Sequence, residues 1–157
     1  EIAAGEGFAW VHEMTHCVQI ANGRFISTTM DEGFSTYITG QICDKDEILP
    51  FNFNSEYNYS FYEKEITKEN AETIFCEETE DNWEKYLYGY RFVTYLFEAY
   101  GEDVYRNILF DASQSYKMNT NITEEMMVPV IKRNTSDTVF EDFAVWLSKN
   151  EDRFDGK

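Results

Sequence analysis

Residues 12–16 read His-Glu-Met-Thr-His, and they hold both histidines of this 157-residue chain. On a helix, positions four apart lie on one face, one turn above each other. Two imidazoles at that spacing converge on a single ion. Glu13 is rotated by about 100° from His12, so it flanks such an ion without binding it. Two neutral nitrogen ligands beside a carboxylate that takes a proton from bound water form the donor set of a zinc hydrolase. The competing reading of the string is a solvated amphipathic helix that happens to carry two histidines.

Catalytic zinc usually takes three protein ligands and leaves the fourth position to water. Cys17 directly follows His16, and neighbours on a helix point in different directions, so it does not share the ion. Cys43 and Cys76 have no close Cys or His partner, and no third histidine exists. The remaining ligand is therefore a carboxylate, and Glu32 is the strongest candidate. Asn22-Gly23 is expected to close the first helix, with Gly23 as its left-handed cap. After a short connection from Arg24, Thr28 or Thr29 is expected to cap a second helix running to about Ile42. Glu32 then sits in its first turn and points across at the histidine pair. The alternative role for an acidic residue there is to complement the helix dipole, which Asp31 serves equally well.

HEMTH, followed sixteen positions after His16 by a Glu inside Asp31-Glu32-Gly33-Phe34-Ser35-Thr36-Tyr37, resembles the gluzincin metallopeptidases. It is especially similar to the small peptidase-MA-like group, whose pattern is HELTH followed by a W-x-x-EGxAxY-type segment. Residues 86–96 (YLYGYRFVTYL) and 98–101 (EAYG) resemble that group's "Y…sfvxYLxxxYG" helix. Residues 139–147 (VFEDFAVWL) resemble its closing helix. The likeness covers most of 5–43 and 84–149 and leaves 44–80 as an unmatched insertion or loop region. It implies a mainly α chain, the helical half of a zincin-like catalytic domain, with His12, His16 and Glu32 binding Zn2+ and Glu13 as general base. It also implies a peptide or protein substrate and favours a secreted or extracellular setting.

Two positions depart from the group's pattern. The group often places a carboxylate four residues after the third ligand, where it orients a ligand histidine. Here that position is Thr36, with Ser35 beside it. A hydroxyl also accepts an imidazole N–H but orients it less firmly. Met30 or Thr29 stands where an aromatic residue is common, which changes packing.

At this length one domain, 1–157, is expected. Thirteen Phe, eleven Tyr and three Trp fit a packed core rather than disorder. A net charge of −17 argues against nucleic-acid binding, because phosphate contacts need clustered Lys and Arg. No apolar run approaches the roughly 20 residues that cross a bilayer. In gluzincins a small β-sheet precedes the catalytic helix, and its edge strand holds substrate. Residue 1 lies too close to residue 12 for that sheet to be encoded, so the expectation is a piece of a larger polypeptide. Three cysteines do not make a disulfide framework.

Further along, 43–60 reads as a long loop holding Pro50, and a helix is expected around 69–77. The strongest helical period spans 81–100, with Trp83, Leu87, Tyr90, Val93 or Thr94 and Phe97 on one face and Gly101 as cap. Another helix should follow to about Ala112. Next comes one from Glu124 toward Lys132 that Pro129 kinks or shortens. In the last helix, capped by Asp137 or Thr138, Phe140, Phe143, Ala144 and Leu147 face inward.

For peptide-bond hydrolysis the oxyanion needs a donor besides the metal. Tyr86 occupies the group's Tyr position, with Tyr90 one turn away. Ser and Cys nucleophile mechanisms are disfavoured, since both histidines are committed to the ion. The rival classes are a non-catalytic protein-binding module on a degenerate gluzincin scaffold, and a purely structural helical domain.

Overall fold

Among the described residues seven α-helices follow one another: Ala4–Ala21 (α1), Thr28–Cys43 (α2), Ala71–Cys76 (α3), Trp83–Tyr100 (α4), Asp103–Ser115 (α5), Glu124–Asn134 (α6) and Val139–Ser148 (α7). A 3-10 turn, Glu151–Arg153, ends the series. This is a computed structural model, which describes residues 4–21, 26–43, 64–79, 83–117 and 120–154. Among the described residues every regular element is helical, in line with the mainly α expectation. The expected cap at Gly23 and the expected loop beyond residue 43 lie outside the described residues. No described helix is long and apolar enough to cross a membrane.

The chain is organised around α4. Its sequence period marked one face, but the structure buries Tyr88, Phe92, Tyr95 and Leu96 as well as Leu87, Val93 and Thr94. A helix apolar on nearly all sides belongs inside the molecule, and here its neighbours cover it. Phe92 stacks flat on Phe140 of α7, ring centroids 5.1 Å apart, and Phe75 of α3 tilts against both. Phe143 meets Phe92 edge-on. The Tyr88 hydroxyl donates to the Ala71 carbonyl at 2.7 Å, so this buried phenol keeps its polar end satisfied. The residues expected to face inward from the last helix, Phe140, Phe143, Ala144 and Leu147, are all buried.

On its other side α4 packs against α2, and two glycines set the distance. A Cβ on Gly33 would lie 2.6 Å from Gly89 Cα, and one on Gly89 would lie 2.9 Å from Gly33 Cα and overlap the Thr29 carbonyl. The two backbones therefore touch, which no other residue pair permits. Farther along the same seam Tyr37 stacks on Phe97 at 4.6 Å, and Phe34 stacks on Tyr105 of α5 at 4.0 Å.

Helix ends follow local chemistry with some corrections. Gly101 has φ +85° and its N–H bonds the Phe97 carbonyl at 3.0 Å, the expected left-handed cap of α4. The second helix starts one residue earlier than expected: the Ser27 carbonyl accepts the Met30 and Asp31 amides. Glu32 is thus the fifth helical residue rather than one of the first turn. Thr29, expected as a cap, instead sends its amide and hydroxyl to Glu124 at 3.2 and 2.9 Å. Glu124 in turn pairs with Lys85 at 2.7 Å, both nearly buried. This group ties the starts of α2 and α6 to α4. Pro129 does not shorten α6, which continues to Asn134. Proline forfeits one backbone bond, but burial of Met127, Val130 and Ile131 on both sides of it holds the helix.

Candidate metal centre

Helix α1 lies along α2 and buries His12, Thr15 and Gln19. These positions recur at three- to four-residue spacing, as one helical face must. On its other faces Trp10, Met14, Val18 and Ile20 are exposed. His12 and His16 sit one turn apart, with rings nearly perpendicular and centroids at 4.8 Å.

Their Nε2 atoms are 3.1 Å apart. Glu32 Oε2 projects between them from α2, 3.0 Å from His12 Nε2 and 3.1 Å from His16 Nε2. The Gly33–Gly89 contact next to Glu32 brings this stretch of α2 against α4, and Tyr86 on α4 reaches the same point. Its ring lies parallel to His12, centroids 5.8 Å apart, and its hydroxyl hydrogen-bonds the Glu32 carboxylate. Glu13 is exposed, one residue round α1 from His12. So the structure brings His12, His16, Glu32 and Tyr86 together and leaves Glu13 on the solvent side of the histidine helix.

The donor set fits a metal ion. Tetrahedral zinc with bonds of about 2.0–2.1 Å holds its ligand atoms about 3.3–3.4 Å from one another. The three atoms here lie within a few tenths of that spacing. Hydrogen bonding alone matches the arrangement poorly. Two Nε2 atoms facing each other share at most one proton, and one carboxylate oxygen has to serve both rings. A cation satisfies all three lone pairs at once. Two imidazoles and a carboxylate suit zinc better than calcium or magnesium, which favour oxygen ligands.

The electrostatics are those of a converged acid–base cluster. Burial pushes the Glu32 carboxyl up, but hydrogen bonds from both histidines, the His16 charge and the Tyr86 hydroxyl outweigh it and bring its pKa to about 2. His16 is raised above the usual imidazole value, chiefly by its hydrogen bond to Glu32. A bound cation reverses the direction for His16, because ligation requires the neutral ring. Asp31, next to Glu32, is pushed up to about 7 by burial, against the opposing pull of His16 and of the Ile26 amide.

Behind His16 stands a set of groups that the sequence reading did not single out. Its Nδ1 lies 3.0 Å from Gln19 Oε1 and 3.1 Å from Ser35 Oγ. Of the neighbouring hydroxyls Ser35 and Thr36, Ser35 is the one that reaches His16. Gln19 extends on to Asp31 and Tyr105. Its place three residues after His16 puts it on the histidine face, which was the available signal. Tyr105 comes from α5, 86 positions from Gln19, and leaves no local trace.

Comparisons with protein-family models, with curated proteins and with solved structures give no match for this chain.

Proposed function

We propose that this chain is a zinc-dependent metallopeptidase, carrying the helical half of a zincin-like, gluzincin-type catalytic domain and acting on a peptide or protein substrate. The observation that carries the reading is the convergence of His12 Nε2, His16 Nε2 and Glu32 Oε2 to within 3.1 Å of one another, with the exposed Glu13 next to His12 on the same helix. His12, His16 and Glu32 would hold the metal. Bound there, zinc would supply a Lewis acid for the scissile carbonyl and lower the pKa of a water to about 7.

The chain's own groups do the rest. Glu13 is on the helix that carries both histidine ligands, so its distance from the reacting water is set by one turn of backbone rather than by a loop. It accepts the water's proton and returns it to the leaving amine. Tyr86 holds Glu32 through its hydroxyl and backs the His12 ring with its own. In the reaction the same hydroxyl is the candidate donor to the developing oxyanion, exchanging one negatively charged oxygen for another.

The test is hydrolysis of a quenched-fluorescent peptide library by the zinc-loaded protein, beside Glu13→Gln. The reading expects cleavage that falls by about 10²–10⁴-fold in the variant while zinc content is unchanged, since general-base contributions are of that size. Full zinc occupancy with no cleavage by the wild type would instead favour the non-catalytic binding module.

A further inference from the structure

We infer that Gln19 is the positioning residue for His16: it holds the imidazole so that Nε2 presents its lone pair to the metal. This inference rests on the metal-centre reading above. Where the family likeness looks for an orienting group four residues beyond Glu32, at Thr36, this chain supplies one from the histidine helix itself.

The direction in which the Gln19 amide faces decides which nitrogen of His16 carries the proton. Its side chain is buried, and it has four neighbours within hydrogen-bonding reach. The Tyr105 hydroxyl is buried and donates to the Met30 carbonyl at 3.3 Å, so its oxygen is left as an acceptor on the Gln19 side. Gln19 Nε2 donates to that oxygen at 3.2 Å and to Asp31 Oδ1 at 3.4 Å. Asp31 is itself fixed, its other oxygen taking the Ile26 amide at 3.0 Å. Both amide hydrogens are then committed to the far side, and Oε1 faces His16. An amide oxygen only accepts, so the proton between it and His16 Nδ1 belongs to the ring. Ser35 supports the same orientation by donating its hydroxyl to Gln19 Oε1 at 3.1 Å. With Nδ1 protonated, the lone pair of a neutral His16 is on Nε2, the atom that faces Glu32 and His12.

Each link is a fixed group. Gln19 is one turn from His16 on α1, Ser35 and Asp31 flank Glu32 on α2, and Tyr105 anchors the set from α5. His16 is therefore held by one connected set of hydrogen bonds that draws on α1, α2 and α5.

Two readouts test this on the whole chain, neither of them activity. The first is the exchange rate with water of the His16 Nδ1–H in the zinc-free protein, followed by long-range 1H–15N NMR. The second is zinc affinity, by competition with a chromogenic chelator. In Gln19→Leu we expect the ring N–H to exchange at least about tenfold faster and zinc to bind about 10–100-fold more weakly. Thr36→Val should change neither. Should Gln19→Leu fail to fold, Tyr105→Phe keeps the ring and removes only the hydroxyl that sets the amide's direction, and both readouts should move the same way. Unchanged exchange and affinity in Gln19→Leu, or in Tyr105→Phe when Leu is not tolerated, would overturn the inference; so would a Thr36→Val effect as large as that of Gln19→Leu. A wild type that takes up no zinc but loses ring N–H protection in the Gln19 variant would sink the metal centre while leaving the orienting role of Gln19 intact.

Discussion

Replacing Gly89 by alanine separates two physical effects of opposite sign. In an ordinary helix interior Gly→Ala stabilises by about 0.5–1 kcal/mol, because glycine loses more conformational freedom on folding. At Gly89 the added Cβ would lie 2.9 Å from Gly33 Cα and 3.1 Å from its nitrogen, and inside the Thr29 carbonyl. Carbon contacts are comfortable at about 3.5–4.0 Å, so α2 has to retreat by roughly 1 Å. The obstructing atoms are backbone on a helix locked by Glu124, so no side chain can swing away. Overpacking of this kind costs about 1–3 kcal/mol. Taking the upper part of that range and subtracting the propensity gain leaves a net loss of about 1–2 kcal/mol, or ~2–8 °C in Tm for a chain of this size. The same retreat carries Glu32 away from the histidines by several times the ~0.2 Å tolerance of a metal–ligand distance. Thermal unfolding by circular dichroism and zinc titration of Gly89→Ala should show both losses together. A Tm equal to or above that of the wild type would mean that propensity wins, and would refute the close α2–α4 contact as the element that positions Glu32.

Two further outcomes follow from the same structure. Lys85→Met leaves the Glu124 carboxylate buried without its cation, and removing one partner of such a pair costs about 3 kcal/mol. Chemical denaturation should register that loss, and an unchanged midpoint would remove the Lys85–Glu124–Thr29 group from the account. In the zinc-free chain, the Glu32 carboxyl is depressed on folding, so its contribution is present above the ordinary carboxylate value of 4.5 and is lost as pH falls toward about 2. His16, raised on folding, contributes below its ordinary 6.5 and loses that contribution as pH rises through its folded value. Unfolding midpoints of wild type and Glu32→Gln measured from pH 3 to 9 should draw closer toward both ends of that range, and a constant difference across it would contradict the ion pairing.

What could be read from the sequence was what local spacing determines. His12 and His16 share a face because they are four apart, and Gly101 caps α4 because its φ is positive. Phe140, Phe143, Ala144 and Leu147 turn inward because an amphipathic period of 3.6 leaves no other choice. Glu32 could be nominated because a short connection forces two helices to pack. What stayed hidden depends on chain crossings. The Gly33–Gly89 contact joins positions 56 apart, and neither glycine looks different from one in a turn. Thr29 resembled a cap because its hydroxyl suits one, but a carboxylate from α6 claims it. Pro129 read as kinking or shortening α6 because its missing N–H is local, whereas the burial that holds the helix to Asn134 is tertiary. The period on α4 marked a single face because Tyr and Thr count as polar or apolar according to where their hydroxyls end up, and that is decided by partners such as Ala71.

The central claim is that three side chains from two helices form one metal site, and metal content tests it most directly. The purified chain, supplemented with zinc and then desalted, should carry close to one zinc per molecule by elemental analysis. Glu32→Ala should carry almost none while keeping its helical circular dichroism. A wild type that holds no zinc after supplementation, or an alanine variant that holds as much as the wild type, would contradict the account.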